Sequence, residues 1–257
     1  MPSAPENILA ISGLTVAFGG VLALCEADLT VRRGSVTAII GPNGAGKTTL
    51  INAITGMVAP RAGKITLAGR DVTRLPAWKR PRAGVARTFQ NLEIFSNMTA
   101  LENVLTGAHR LIRYSVLDSL LRTPRFACGE SAARAKAMDL LAFVGLSGTA
   151  DLPAAQLPYG SQRLLELARA LALEPDLLLL DEPAAGMNIR ETRELGGLIR
   201  RIRDDLGVSV ALIEHDMELV MDLSDHIAVL NFGAVIATGT PSEIQKNPQV
   251  VAAYLGE

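Results

Sequence analysis

The chain has 257 residues, enough to bury one large core or two lobes that share it. Its 25 lysines and arginines against 26 acids leave a net charge of −1, which argues against non-specific nucleic-acid binding as its main task. Apolar residues make up 49% and aromatics only 4%, so the core should consist largely of Leu, Val, Ile and Ala.

The opening MPSAPENILA lacks a charged region followed by a long apolar stretch, so no signal peptide is expected. No window approaches the roughly 18 apolar residues needed to span a bilayer. Cys25 and Cys128 match no metal-binding spacing, and a reducing cytosol is the simplest home for both. The expectation is a soluble intracellular protein; if it works at a membrane, other chains supply the spans.

In chain order, strand-like runs stand at Ile8–Phe18, Ala27–Arg32 and Val36–Ile40, then a helix at Gly46–Thr55 and a strand at Lys64–Leu67. From about 101 to 173 the pattern is helical, most clearly in SAARAKAMDLLAFVGL, with no convincing strand. Within it, the segment 109–130 mixes Leu and Arg and reads as an amphipathic surface helix covering the lobe, or as a contact with a partner or membrane surface. The apolar runs DLLLLD and VSVALIEH read as buried parallel strands, followed by helices at Ile189–Asp205 and Met217–Asp222. HIAVLNFGAVIATG is β-rich and leads through Thr240-Pro241 into a short C-terminal helix. This alternation predicts an α/β fold around a mainly parallel sheet, with residues of about 1–100 and 174–257 forming the core and about 101–173 an inserted helical lobe.

GPNGAGKT fits G-x-x-x-x-G-K-[ST], lying between the strand VTAII and the helix KTTLINAIT. The glycines let backbone amides approach phosphates, Lys47 places a mobile positive charge there, and the Thr48 hydroxyl is the expected Mg²⁺ ligand. Gly41, Asn43, Gly44, Ala45, Gly46, Lys47, Thr48 and Thr49 are therefore the expected nucleotide contacts. In LLLLDEP, an apolar strand ends in Asp181, placed to hold a Mg²⁺-bound water, and Glu182 is placed to polarise the attacking water as general base. LPYGSQRLLELARAL reads as a second helix opening on a glycine turn, whose first amides also attract anions.

Together these motifs resemble the ATP-binding cassette (ABC) family of transport ATPases over almost the whole chain. Gln90 in ARTFQN falls where the family has its Q-loop glutamine, and His215 in LIEHDM matches its switch histidine. LPYGSQ falls at the signature Leu-Ser-Gly-Gly-Gln, and Phe18 in VAFGG at the aromatic that stacks on adenine. The resemblance implies a P-loop NTPase cassette with an N-terminal antiparallel β portion, ATP and Mg²⁺ as ligands, and catalysis by Glu182 with Gln90 and His215. Gln90 can bind Mg²⁺ or the water through its amide, and His215 can hydrogen-bond the γ-phosphate or hold the water in line. It further implies that two cassettes meet head to tail, so that Gly160 and Ser161 of one chain close over ATP held by another. Two motifs depart from the family pattern. Pro158 replaces the signature serine, Tyr159 its first glycine and Ser161 its glutamine, while Asn188 replaces the acid of the D-loop.

The wording of ARTFQNLEIFSNMTALENVL, DEPAAGMN and AYLGE is similar to the longer ATP-binding subunit of high-affinity branched-chain amino acid importers. That implies a second cassette as partner (a copy of this chain or a shorter paralogue), two membrane permease subunits and, indirectly, a periplasmic or lipid-anchored binding protein. It places the chain in the cytoplasm, peripheral on the inner face of the cell membrane, with no nucleic acid involved. Leu92, Ile94 and Phe95 would then meet cytoplasmic helices of the permease if exposed, core burial being equally open. The same engine serving urea, amides, other amino acids or lipid-like export is the alternative, as is a regulatory ATP-binding module of low turnover. A cassette protein acting on DNA or ribosomes is a third reading, without the paired cassettes, long insertion or basic face such proteins carry.

Overall fold

The computed structural model describes residues 6–109 and 114–255. Residues 110–113 of the segment expected to cover the lobe, and the last two residues of AYLGE, lie outside them. The described residues fall into two compact units: one holds those of Met1–Gln90 and Asp176–Glu257, the other is Asn91–Pro175.

The first unit opens with β1 (Asn7–Phe18) and β2 (Val21–Arg32), an antiparallel hairpin turning at Gly19-Gly20, where Gly19 has φ +59°. A two-residue turn with positive φ matches the strand twist, and glycine adopts it without steric cost. β2 starts six residues before the expected Ala27 because pairing with β1, rather than burial, holds its exposed Val21 and Leu22. β3 (Val36–Ile40) runs into α1 (Lys47–Ile54), followed by the hairpin β4 (Ala62–Leu67) and β5 (Arg70–Asp71), and then by β6 (Val85–Arg87). Strands β2, β1, β4 and β5 form one antiparallel sheet in that order.

In the second unit, α2 (Ala100–Ala108), α3 (Val116–Leu120), α4 (Pro124–Phe143) and α5 (Tyr159–Leu171) follow one another. α4 begins seven residues before the expected SAARAK stretch because Thr123 caps it and Pro124 sits in its first turn, where a missing amide proton costs nothing. Its end and α2 supply the buried Leu141, Leu101 and Val104. The segment after Gln90 leaves Phe95 exposed, with Leu92 and Ile94 half-buried. The Phe95 ring carries the Arg169 guanidinium at 5.4 Å.

The chain then returns to the first unit through β7 (Leu177–Asp181), α6 (Ile189–Leu206), β8 (Ser209–Ile213), α7 (Met217–Leu223), β9 (His226–Asn231), β10 (Ala234–Gly239), α8 (Pro241–Gln245) and α9 (Pro248–Leu255). These strands join β3 and β6 in a six-stranded sheet of order β10-β9-β3-β8-β7-β6, parallel except for β10. Every residue of β3, β7 and β8 is buried, as continuous apolar runs in a parallel sheet require. The fold is thus α/β with a mainly parallel core, an antiparallel sheet and a helical portion, as the sequence predicts. Among the described residues no helix is long and apolar enough to cross a membrane.

Register positions the site. Ile39 of β3 and Asp181 of β7 both lie opposite Ile213 of β8, so three adjacent parallel strands end at one level. Gly41, Glu182 and Glu214 therefore leave the sheet side by side, at the carboxyl edge where ligands of such sheets bind.

Candidate active site

The loop from Gly41 to Thr48 wraps against β9 and β2. Gly41 has φ +151°, and a Cβ there would lie 2.0 Å from the Leu230 carbonyl oxygen; Gly46, at φ +104°, would place one 2.6 Å from that of Ala23. Both positions therefore require glycine. The loop opens on a cleft of about 550 Å³ lined by residues 43–49, Glu182 and His215, with Val21, Leu22, Ala23, Phe232 and Gly233 on its other side. Asn43, Gly44, Ala45, Gly46, Lys47, Thr48 and Thr49 thus all face one space.

Lys47 is buried, and its ammonium donates to the carbonyls of Gly41 at 2.6 Å and Pro42 at 3.0 Å. Burial pushes its pKa below the ordinary lysine value, while Glu182 and Asp181 act in the opposite direction. Those two carboxylates make the charged form tolerable, and a phosphate would take over from the carbonyls as its partner.

Glu182 adopts φ +49°, a left-handed conformation rare for a side chain of its size. Its amide donates to the Ile213 carbonyl at 2.9 Å, which sets the turn. The side chain is then held from both sides: the Gln90 amide donates to Oε2 at 2.9 Å, and His215 Nε2 lies 2.9 Å from Oε1. A carboxylate only accepts, so His215 Nε2 bears the proton. Gln90, Glu182 and His215, distant in sequence, meet in one hydrogen-bonded row.

Asp181 is buried at the strand end, and its Oδ2 accepts from the Arg87 guanidinium at 2.7 Å. Neither Arg87 nor Glu214 stood out in the sequence. Glu214 is buried and its two carboxylate oxygens accept the amides of Ala184 at 2.8 Å and His215 at 2.9 Å, tying the loop after β7 to the loop after β8. The available signal was its place, an acid closing the apolar run VSVALI. Phe232, with φ +43° and almost fully exposed, lines the cleft beside Val21 and Leu22, whereas Phe18 ends β1 at the hairpin tip, about half exposed.

Gly160 and Ser161 stand in the second unit, in the first turn of α5, both half-buried. Pro158 occupies the cap position and makes no side-chain cap hydrogen bond to this helix. Asn188 caps α6: its side chain accepts from the Glu191 amide at 3.0 Å and its own amide donates to Glu191 at 2.9 Å.

The donor set suits Mg²⁺. Thr48, Gln90 and Asp181 offer hard oxygen atoms, and among the described residues no group of three or more His, Cys, Asp and Glu side chains forms a closed metal cage. Mg²⁺ prefers such sparse sites, completed by water and phosphate oxygens.

Comparison with known proteins gives the following. A profile of the ABC transporter family matches residues 24–185, and one described as branched-chain amino acid ATP-binding cassette transporter matches residues 234–257. The chain is 49% identical over 250 residues to the high-affinity branched-chain amino acid transport ATP-binding protein BraF of Pseudomonas aeruginosa, covering 97% of this chain and 98% of the relative. To the corresponding protein LivG of Escherichia coli it is 44% identical over 252 residues, covering 98% and 99%. Among solved structures, the ADP conformation of MJ1267, an ATP-binding cassette of an ABC transporter, superposes with a TM-score of 0.84 at 32% identity, over 98% of this chain and all of that one.

Proposed function

The chain belongs to the ATP-binding cassette transporter family, and we propose that it is the ATP-hydrolysing subunit of an importer that takes up branched-chain amino acids through separate membrane subunits. The observation that carries the catalytic reading is Glu182, clasped between Gln90 and His215 at the mouth of the phosphate loop. The substrate reading is supported by near full-length similarity to BraF and LivG and by the C-terminal profile match.

In this reading ATP lies in the cleft with its phosphates against the amides of residues 43–48. Lys47 exchanges the Gly41 and Pro42 carbonyls for phosphate oxygens. Thr48, Gln90 and, through water, Asp181 would hold Mg²⁺, whose charge neutralises the phosphate oxygens. Glu182 accepts the proton of the attacking water, and Gln90 and His215 fix its carboxylate so that no reorganisation is needed during the reaction. Phe18 is assigned to the adenine ring. The first turn of α5 in a partner cassette, at Gly160 and Ser161, supplies amides and the positive helix end to the far phosphate. The partner is a second cassette, and the pair sits on the inner face of the membrane beneath two permease subunits, served by a binding protein on the other side.

Proteoliposomes holding the permease subunits, this chain and its partner cassette, with the binding protein on the opposite side, should accumulate leucine only with ATP enclosed alongside the cassettes. Transport of urea or another amino acid in place of leucine would overturn the substrate reading while leaving the ATPase reading intact.

A further inference from the structure

Arg87 is the last residue of β6, and pairing places it opposite Leu179, two residues before Asp181 on β7. Side chains two apart share a face, so Arg87 reaches Asp181 directly. Its Nη2 donates to Asp181 Oδ2 at 2.7 Å and its Nη1 to Asn52 Oδ1 of α1 at 2.6 Å, and the guanidinium lies 4.8 Å from the Phe89 ring centroid. Arg87 and Asp181 side chains are 8% and 5% exposed. The buried Nε of Arg87 has no hydrogen-bond partner among the described residues. Burying a charged pair, with an orphaned donor, is a costly way to fill space that an apolar residue fills more cheaply. Three residues further on, Gln90 donates to Glu182. One short segment therefore grips both neighbouring carboxylates, Arg87 the first and Gln90 the second.

We propose that Arg87 is a positioning residue for metal binding: it turns Asp181 toward the Mg²⁺-bound water and acts as its counter-ion when no metal is present. This rests on the reading of Asp181 given above. The test is binding of a fluorescent ATP analogue to the purified chain, in EDTA and at graded Mg²⁺. With Arg87→Met, binding in EDTA should fall, because Asp181 loses its counter-ion, but by less than in Mg²⁺, because the phosphate loop is untouched. The Mg²⁺ concentration for half-maximal enhancement of binding should rise by about tenfold or more, as for other partners of metal-ligating groups. Arg87→Lys, which keeps the charge but not the fork, should recover part of this. Asn52→Ala, which strands no charge, should shift the Mg²⁺ dependence in the same direction by less, and covers the case in which Arg87→Met fails to fold. Unchanged Mg²⁺ dependence in folded variants, or equal losses in EDTA and in Mg²⁺, would overturn the assignment. Failure of the wild-type chain to bind the analogue under any condition would instead sink the nucleotide reading itself.

Discussion

Two side chains hold Glu182, and its backbone is held in an uncommon conformation, so the residue is over-determined before any ligand arrives. Glu182→Gln keeps the size and can still pair with one neighbour, but cannot take a proton. Steady-state ATP turnover should fall by about 10²–10⁴-fold, while the analogue's affinity stays close to wild type. Turnover near the wild-type rate in that variant would remove Glu182 from the role of base. At Gly41 the constraint is steric: Gly41→Ala drives a methyl into the Leu230 carbonyl and forces the loop to move. That variant should lose nucleotide binding and about 1–3 kcal/mol of stability, read as a lowered midpoint in thermal melts, and normal binding would contradict the cradle described. The residues of the loop and of the Asp-Glu pair were legible because adjacent glycines, a lysine and paired acids form local patterns. Arg87 was not: its partner lies 94 positions away, and nothing near it in the chain marks one arginine among many. Phe232 likewise acquires its place only when β9 pairs with β3 beside the loop.

The starts of α2, α3 and α6 share one device. The Thr99 hydroxyl accepts from the Glu102 amide at 3.2 Å while Glu102 accepts from the Thr99 amide at 2.8 Å, and the same exchange links Ser115 with Asp118 and Asn188 with Glu191. Glu243 accepts from both the amide and hydroxyl of Thr240. Those bonds, the backbone ones first, hold the carboxyls of Glu102, Asp118 and Glu243 below their ordinary values. A carboxyl lowered in the folded state is protonated more readily in the unfolded chain. Its contribution is therefore complete above the unfolded value, about 4.3 for glutamate, and is lost as pH falls through the folded value. Chemical denaturation followed from pH 6 downward should show stability falling from about pH 4, with a shallower fall in the variant Glu102→Gln, Asp118→Asn, Glu243→Gln. An unchanged slope would mean that other carboxylates govern acid unfolding. Thr99→Ala should cost about 0.5–2 kcal/mol at neutral pH. The pattern of Thr or Ser with an acid three residues on stood in the sequence at 99–102, 115–118 and 240–243, and marks the start of α2 that composition alone leaves inside a broadly helical stretch. β6 had no such mark. Its three residues are too few for any periodicity, and it exists as a strand because β7 offers an edge to pair with.

At the scale of the molecule, the phosphate loop belongs to one compact unit and the α5 turn to the other, and the proposed function gives each of them a phosphate to hold. The parallel core and its cleft were readable from one chain because both are made within it. The use of the α5 turn was not, since its ligand is assigned to a second cassette. That assignment has a sharp consequence for mixed assemblies. Lys47→Ala should abolish nucleotide binding in its own chain, whereas Gly160→Asp should leave binding in its own chain intact and place a negative charge against the phosphates of its neighbour. If copies of this chain pair together, each variant alone should be inactive. Mixing them should restore part of the turnover, through sites built from the Lys47 of one and the Gly160 of the other. If the partner is a shorter paralogue, mixing the two variants restores nothing. Gly160→Asp then slows hydrolysis at the paralogue's nucleotide while this chain binds ATP normally. ATPase assays on the mixed homomeric preparation and on the assembled transporter separate the two arrangements. Wild-type turnover by Gly160→Asp in both settings would leave the α5 turn with no part in the reaction, and the shared site would have to be given up.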